Sequence, residues 1–282
     1  MRVARFIVDG APRAGLVDGD RIRDLGDAAV LQDIMAGGLD GHVPTGSRAY
    51  RRAELTLLAP ITSTGRCVFA TGWNYRRHFA EGAASRPVDV EEPAFPTFFS
   101  KPATTVIGPY DPISIDDQVS GQFDYEAELA IVIGRPGRGI KAEDAMDHVF
   151  GYVAANDVSA RDIQKRHGGQ WFKGKSMDGT CPIGPWIVTA DELPDPGALE
   201  IECIVNGEVR QRADTSSMAF SVARLIEELS QGMTLLTGDV LLTGTPAGVG
   251  SARQPPSWLA DGDEVITRIS GIGELRNQVR QI

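Results

Sequence analysis

The chain has 282 residues, of which 42% are hydrophobic and 23% charged, with a formal net charge of -10 at pH 7. This length allows one large domain, or a main domain with a small addition, and the composition argues against disorder. The negative charge, without any basic run, argues against a nucleic-acid partner. The three cysteines lack paired spacing, and neither a signal core nor a membrane-spanning run is present, so we expect a cytoplasmic protein without a membrane partner.

The order of turns and apolar runs divides the chain into two segments. Residues 1–60 alternate short apolar runs with turn pairs such as Asp9-Gly10, which predicts hairpins and a helix in a small N-terminal domain. Residues 67–282 are rich in β-branched, strand-like segments, which predicts a β-rich catalytic domain and an α+β fold overall. The clearest strand segments are 129–134, 151–158, 185–190, 199–210 and 239–246.

Two helices and two loops complete the prediction. Segments 141–150 and 221–232 have helical patterns, and Ser221 is a suitable N-cap for the second. Segments 79–97 and 251–261 are rich in Pro, Ser, Gly and charge, which predicts mobile loops of the kind that form lids.

Three acidic residues open the segment FDYEAELAIVIG. Strand alternation places Asp124, Glu126 and Glu128 on one face. An acidic strand face is ordinarily solvated, but the following LAIVIG is apolar on both faces, as in a strand buried on both sides. The carboxylates are therefore predicted to face a cleft, where a divalent cation relieves their repulsion and their desolvation.

A second apolar segment, GYVAANDV, leads to another acid, Asp157. One interpretation is a helix N-cap, since SARDIQKR follows and Asp is favoured at that position. The other is a metal ligand. Together with Glu126 and Glu128 it would form an all-oxygen site suited to Mg²⁺ or Mn²⁺, with Ca²⁺ as a further option.

Cationic and amide side chains lie near these acids in the sequence. Arg161 and Gln164 would project from one face of the helix that follows Asp157. Lys101 and Lys175 lie beside the ends of predicted strands. Taken singly, each is more ordinarily a surface residue, but together they supply the positive charge that a small anionic substrate requires.

Two further motifs are typical of catalytic or binding sites. In GWNYRRHFAE, a helix would place His78 and Glu81 together, so that the carboxylate raises the basicity of the imidazole, although the pattern alone favours an ordinary surface pair. In LLTGTPAGVG, Thr245 and the backbone N–H groups of a Gly-rich turn are suited to an anion. This turn lacks the lysine of a nucleotide-binding loop.

From about residue 67 to the end, the chain resembles the fumarylacetoacetate hydrolase superfamily, in its acylpyruvase-like and 2-hydroxyhepta-2,4-diene-1,7-dioate isomerase-like branch. The resemblance implies a mixed β-roll catalytic domain in a homodimer, preceded by a small N-terminal domain. It rests on eight segments in the family's order: GWNYRRH, FFSKP, FDYEAELAIVIG, GYVAANDVSARDIQ, KGKSMDGTCPIGPW, VNGEVRQ, TSSM and LLTGTPAGVG.

The resemblance also implies roles for particular residues. Magnesium or manganese would be bound by Glu126, Glu128 and Asp157, and Asn74 stands near the place of an aspartate that is a fourth ligand in the founding hydrolases. Lys175 matches a lysine that contacts substrate in the family, and Arg161 and Gln164 match residues of the helix after the metal aspartate. His78 and Glu81 match the dyad of a lid helix, and Thr245 matches the threonine of the family's turn.

These features predict a metal-dependent hydrolase that cleaves a carbon–carbon bond in small 2,4-dioxo acids of the acylpyruvate or fumarylpyruvate kind. An isomerase or tautomerase of 2-hydroxy-dienedioates and an oxaloacetate decarboxylase are alternatives, because all of these reactions pass through an enolate. In a different class, the chain would be a catalytically silent relative that only binds ligands. Its full set of acidic, lysine and histidine site residues argues against that class.

Overall fold

The structure is a computed structural model that describes residues 1–39, 46–61, 66–82 and 91–282. Residues 83–90 of the predicted loop at 79–97 lie outside the described residues. Within the described ranges, no helix is long and apolar enough to cross a bilayer.

The described residues form many strands and four short helices. The strands of the first 60 residues are β1 Arg2–Val8, β2 Ala11–Asp18, β3 Arg21–Asp27, β4 Ala49–Arg51 and β5 Thr56–Leu58. The later strands are β6 Val68–Gly72, β7 Thr97–Lys101, β8 Val106–Ile107, β9 Ile113–Ile115, β10 Phe123–Asp124, β11 Ala127–Ile133, β12 Gly137–Arg138, β13 Val149–Asn156, β14 Ser159–Ala160, β15 Cys181–Thr189, β16 Glu200–Val205, β17 Glu208–Asp214, β18 Thr234–Leu235, β19 Val240–Leu242, β20 Glu264–Ile269 and β21 Gly273–Gln281. The helices are α1 Val30–Gly37, α2 Arg76–Glu81, α3 Arg161–Arg166 and α4 Val222–Ser230.

Two sheets form the body of the molecule, which confirms the predicted β-rich α+β fold. The larger sheet has the order β4-β3-β2-β1-β15-β13-β11-β19-β6-β7, with β5 paired to β1 and β8 to β15. The smaller sheet has the order β17-β16-β20-β21-β9 and packs against β11, β13 and β15. Because β1 pairs with β15, the N-terminal hairpins continue the sheet of the rest of the chain.

Strand β11 lies at the centre of the larger sheet, between β13 and β19, and every residue in it is buried. Its alternate side chains enter two different cores. Leu129 and Ile131 pack between the two sheets, whereas Ala130 and Val132 pack on the opposite face, in the core that includes helix α1. The prediction of a strand buried on both sides is therefore confirmed.

Some predicted elements differ from the structure. Segment 141–150 is not an α-helix, since it contains only a 3-10 turn at Ala145–His148 before β13 begins. Segment 199–210 is not one strand, because Asn206-Gly207 takes positive φ angles of 51° and 79° and turns the chain from β16 into β17. Helix α4 is capped as predicted, with the Ser221 side chain accepting a hydrogen bond from the backbone of Arg224.

The predicted mobile loop at 251–261 is held to the body by hydrogen bonds. The backbone N–H groups of Gly250 and Ser251 donate to the carboxylate of Asp124, and Leu259 N donates to Phe123 O at 2.8 Å. Leu259 is also buried, which adds apolar contact to these bonds. Segment 251–261 is therefore bonded to the body of the protein, in contrast to the mobile loop that its Pro-rich composition predicted.

Close strand packing makes Gly151 of β13 a sensitive position. A Cβ atom placed there would lie 2.3 Å from the carbonyl oxygen of Val188 on β15. We therefore expect Gly151→Ala to lower the free energy of unfolding by about 1–3 kcal/mol, because a packed interior resists added volume. Urea unfolding measures this. Gly121→Ala is the matched control, since Gly121 has no atom within 4 Å of an added Cβ, and equal effects of the two variants would contradict the prediction.

Candidate metal centre and active site

Three carboxylates meet where β11 begins and β13 ends, and we call Glu126, Glu128 and Asp157 the carboxylate cluster. The antiparallel pairing places Ala127 opposite Asn156, and Asp157 N donates to Glu126 O at 2.8 Å. One oxygen from each side chain lies within 4.8 Å of the others. All three are buried, so the acids that the sequence placed on two separate strands form one site.

Three buried cations surround the cluster. Lys175 Nζ lies 2.7 Å from Glu126 Oε2 and 2.7 Å from Asp157 Oδ2. Lys101 Nζ lies 2.8 Å from Asp157 Oδ1, and Arg161 Nη1 lies 2.6 Å from Glu126 Oε1. Each of these residues was predicted to bind substrate or to act in catalysis, and the structure brings all three beside the carboxylates.

Among the described residues, the charges in this interior do not balance. Counting Asp124, which pairs with Arg161, four buried carboxylates face three cations. The unmatched acid is Glu128, which takes no part in the ion pairs of the cluster among the described residues. Its Oε2 accepts a hydrogen bond from Gly244 N at 2.6 Å, which offsets only part of the cost of burial.

The two glutamates consequently have pKa values shifted in opposite directions. Burial, followed by the charges of Asp157 and Glu126, raises the pKa of Glu128 well above its ordinary value. Burial also raises the pKa of Glu126, but the charges of Lys175 and Arg161 outweigh it and lower that pKa to about 2. The cluster thus contains one carboxyl group that tends to hold a proton in place of a cation.

These residues fit a divalent metal ion. The donor atoms are carboxylate oxygens, which suit Mg²⁺, Mn²⁺ and Ca²⁺, and the uncompensated charge lies on one of the three donors. A divalent ion would change the local charge from negative to positive, as binding of an anionic substrate requires.

Arg161 extends this site away from the carboxylate cluster. Its Nε donates to Asp124 at 2.7 Å and its Nη1 to the Gln164 side chain at 3.2 Å. The third nitrogen, Nη2, is buried and has no hydrogen-bond partner within the described ranges. A buried guanidinium with one unpaired donor is suited to bind a carboxylate from outside the protein.

Lys101, which the sequence predicted to contact substrate, is instead enclosed by protein oxygen atoms. Besides Asp157, its ammonium group contacts the carbonyl oxygens of Val158 at 3.2 Å and Lys175 at 2.6 Å. Three oxygen atoms thus surround a fully buried ammonium group. This geometry favours a positioning role, in which Lys101 orients Asp157, over direct contact with a ligand.

The predicted histidine–glutamate pair is formed on helix α2. His78 Nδ1 lies 2.8 Å from Glu81 Oε1, and Glu81 Oε2 accepts a hydrogen bond from Gly248 N at 2.8 Å. An imidazole that donates through Nδ1 keeps Nε2 free as a base. The Gly-rich turn that bonds Glu81 through Gly248 also bonds Glu128 through Gly244 N, so one turn links the dyad to the carboxylate cluster, and a charge on His78 would lower the pKa of Glu126.

The Gly-rich turn after β19 is bonded to the start of β11 through two side chains, Thr245 and Gln211. Thr245 Oγ1 donates to Ala127 O at 2.9 Å and accepts from Gln211 Nε2 at 2.8 Å. Gln211 Oε1 in turn accepts from Ala127 N at 2.9 Å. Both groups therefore fasten the turn to the start of β11, and a substrate contact by Thr245 stays a prediction.

Asn74 is buried beside the same turn. Its Nδ2 donates to Thr243 O at 2.7 Å and to Phe220 O at 3.1 Å, and its Oδ1 accepts from Phe220 N at 2.8 Å. Both ends of the amide are thus bonded to backbone groups. Asn74 therefore joins the turn to the segment before helix α4.

Sequence reasoning did not assign a role to Asp124 or to Gln211. Asp124 shares the predicted strand face of the metal ligands, and this position was the available signal. Gln211 lies in β17 of the β16–β17 hairpin and ends the segment VNGEVRQ, which was the available signal, but it reaches its partners only through tertiary packing.

We expect Mn²⁺ to stabilise the protein through the carboxylate cluster. At about 100 times the dissociation constant, the ion should add about 2.7 kcal/mol to the free energy of unfolding. Glu128→Gln should abolish this gain in a thermal unfolding experiment, whereas exposed Glu143→Gln should preserve it. An equal gain in both variants would place the metal elsewhere.

We also expect the affinity for Mn²⁺ to fall as the pH is lowered. The raised pKa of Glu128 means that a proton occupies this carboxyl group at pH values where an ordinary glutamate is ionised, and the ion must displace that proton. Calorimetric titrations between about pH 5 and pH 8, in buffers of different ionisation enthalpy, measure the affinity and the released proton. Constant affinity without proton release would contradict the prediction.

Comparisons with known proteins agree with this site. Residues 67–280 match the family described as fumarylacetoacetate (FAA) hydrolase C-terminal, and residues 1–60 match the family described as Rv2993c-like, N-terminal. The chain is similar to oxaloacetate tautomerase YisK of Bacillus subtilis (strain 168), with 46% identity over 234 residues, which cover 83% of this chain and 76% of that protein.

Two solved structures resemble the whole chain. A fumarylacetoacetate hydrolase from psychrophilic Exiguobacterium antarcticum superposes with a TM-score of 0.88 at 40% identity, covering 100% of both chains. A maleylpyruvate hydrolase from Sphingobium sp. SYK-6, in complex with manganese(II) ion and pyruvate, superposes with a TM-score of 0.81 at 31% identity, covering 100% of this chain and 99% of that one. Since sequence and fold agree over most of its length, the chain belongs to the fumarylacetoacetate hydrolase family and is an enzyme.

Proposed function

We propose that this enzyme interconverts the enol and keto forms of a small 2-oxo dicarboxylic acid, with oxaloacetate as the substrate. The observation that carries the proposal is the imidazole of His78, bonded to Glu81 and linked through the turn at 243–250 to a carboxylate cluster suited to a divalent ion. A proton carrier beside such a cluster provides the groups that keto–enol exchange needs. The 46% identity to an oxaloacetate tautomerase supports the same substrate.

Substrate binding depends on the positive groups of the site. Arg161 Nη2, which is buried and unpaired among the described residues, is suited to one substrate carboxylate. Lys175 uses two of its three N–H donors on Glu126 and Asp157. Burial lowers the pKa of Lys175, but the charges of Asp157 and Glu126 outweigh it and keep that pKa above the ordinary value, so the ammonium charge would stabilise negative charge on the substrate oxygen.

The ion that Glu126, Glu128 and Asp157 would bind supplies Lewis-acid polarisation of the 2-oxo group. The protein supplies the proton transfer. Neutral His78 takes the hydroxyl proton of the enol through Nε2 and returns a proton to carbon 3, so the oxygen loses one proton and the carbon gains one. One imidazole serves both atoms because they are only two bonds apart. Glu81 stabilises the imidazolium formed between the two steps.

A second candidate function is hydrolysis of a carbon–carbon bond in 2,4-dioxo acids. The same dyad is suited to remove a proton from water, and the chain resembles a maleylpyruvate hydrolase structure that contains manganese and pyruvate. The two functions differ in one requirement. Hydrolysis needs a water molecule beside the distal carbonyl, whereas tautomerisation consumes no water.

The test follows the ultraviolet absorbance of enol-oxaloacetate after it is dissolved with enzyme and Mn²⁺ or Mg²⁺. We expect the absorbance to decay faster than with metal alone, and His78→Ala to lower the enzymatic rate by about 10²–10⁴-fold, as for loss of a general base. The dissociation constant of pyruvate from Mn²⁺-loaded His78→Ala, measured by calorimetry, should stay within twofold of wild type. This corresponds to a change of about 0.4 kcal/mol or less in binding free energy.

His148→Ala is the matched control, since its ring bonds to Arg135 O outside the site, and it should leave the rate unchanged. No acceleration with either metal would contradict tautomerase activity. A wild-type rate in His78→Ala would contradict the role of His78. Faster pyruvate release from acylpyruvates or maleylpyruvate than enol decay would favour the hydrolase.

A further inference from the structure

Four aromatic side chains form a continuous series of contacts from helix α2 to Lys175, and we call Phe79, Trp73, Trp171 and Phe99 the aromatic chain. Successive ring centroids are separated by 5.7 Å from Phe79 to Trp73, 4.7 Å from Trp73 to Trp171 and 5.6 Å from Trp171 to Phe99. The series ends at Lys175, whose Nζ lies 4.9 Å from the Phe99 ring centroid. Its two ends therefore adjoin the two proposed catalytic groups, His78 and Lys175.

All three ring pairs share one geometry. Their interplanar angles are 83°, 79° and 73°, so each pair is edge-to-face. This is a preferred arrangement for aromatic pairs, worth about 0.5–1.5 kcal/mol per pair beyond the area that they bury. Edge-to-face contacts are also directional, so displacement of one ring changes the position of its neighbour.

The backbone leaves space specifically for Trp171. A Cβ atom on Gly72 would lie 2.0 Å from Trp171 Cζ3, so any larger residue at that position would force the Trp171 ring to move. The next residue, Trp73, has φ of 58°, which is rare for a bulky side chain and strained. Such strain persists where the surrounding structure requires it, and here it directs the Trp73 ring between Phe79 and Trp171.

Helix α2 depends on contacts of this kind for its position. It has six residues, none of them fully buried, and a helix of this length is not stable alone. Its contacts with the body include the hydrogen bond from Gly248 N to Glu81 and the ring contact between Phe79 and Trp73. Because His78 and Phe79 lie on the same short helix, loss of the Phe79 ring contact would free the backbone that carries the imidazole.

We propose that Trp171 is a positioning residue that acts through Trp73 and Phe79 to fix helix α2, and with it His78, relative to the carboxylate cluster. The inference rests on the proton-transfer role of His78 in the proposed function. Trp171 itself takes no part in proton transfer. Substitution of Trp171 should therefore lower the rate only in an enzyme that retains the His78 imidazole.

A double-mutant cycle in the Mn²⁺-loaded enzyme tests this, with Trp171→Ala, His78→Ala and the double variant. We expect Trp171→Ala to lower kcat for enol-oxaloacetate on the order of 10- to 100-fold, as for a catalytic group displaced by about 1 Å, with little change in KM. In the His78→Ala background, the same substitution should cause no further loss. A ring that only stabilised the fold would lower both rates by the same factor.

A second pair of variants keeps the test independent of folding. Gly72→Ala should displace the Trp171 ring and lower kcat, and Trp171→Phe should relieve that loss because the smaller ring leaves room for the new methyl group. Phe172→Ala is the matched control, since the Phe172 side chain is exposed and lies outside the aromatic chain; its kcat should stay at the wild-type value.

The outcomes separate the two ideas. Multiplying losses in the double variant, a wild-type kcat in Trp171→Ala, or no relief of Gly72→Ala by Trp171→Phe would each overturn the positioning role alone. A wild-type rate in His78→Ala would overturn the proposed function and this inference together. Loss of kcat in Phe172→Ala equal to that in Trp171→Ala would also overturn the specific role of Trp171.

Discussion

The antiparallel pairing of β11 with β13 is the constraint on which the rest of the structure depends. It places the start of one buried strand beside the end of another and brings Glu126 and Asp157 into the same interior. Burial of like charges is costly unless cations compensate them. The surrounding elements supply those cations: Lys101 from the end of β7, Arg161 from the start of α3, and Lys175 from the 3-10 turn that follows.

The Gly-rich turn at 243–250 connects the parts of the site. Its backbone N–H groups at Gly244, Gly248 and Gly250 donate to Glu128, Glu81 and Asp124, respectively. One turn therefore contacts a candidate metal ligand, the lid dyad and the acid that pairs with Arg161. Close packing explains the glycine at position 248, where φ is 110° and a Cβ would lie 2.1 Å from Arg210 O.

For the proposed function, electrostatics would give the site a preference for acids. The protein carries a net charge of -10, which repels anions at long range, so attraction must come from groups inside the site. The buried cations nearly neutralise the carboxylates, and a divalent ion would make the interior positive. Arg161 Nη2, which has no hydrogen-bond partner among the described residues, would add directional recognition of a carboxylate, which a point charge alone does not provide.

The sequence by itself determined the identity of the elements that carry the site. Strand alternation placed the acids on one face, and the apolar continuation of β11 indicated burial on both sides, because these patterns depend only on local backbone geometry. Local patterns could not decide whether Asp157 is a helix cap or a member of the cluster, since that depends on which strand pairs with β13. Only the tertiary structure showed the ion pair of Lys101 with Asp157, the hydrogen bond of Gln211 to the turn and the packing of Trp171 against Gly72. Each of these contacts joins residues far apart in the chain.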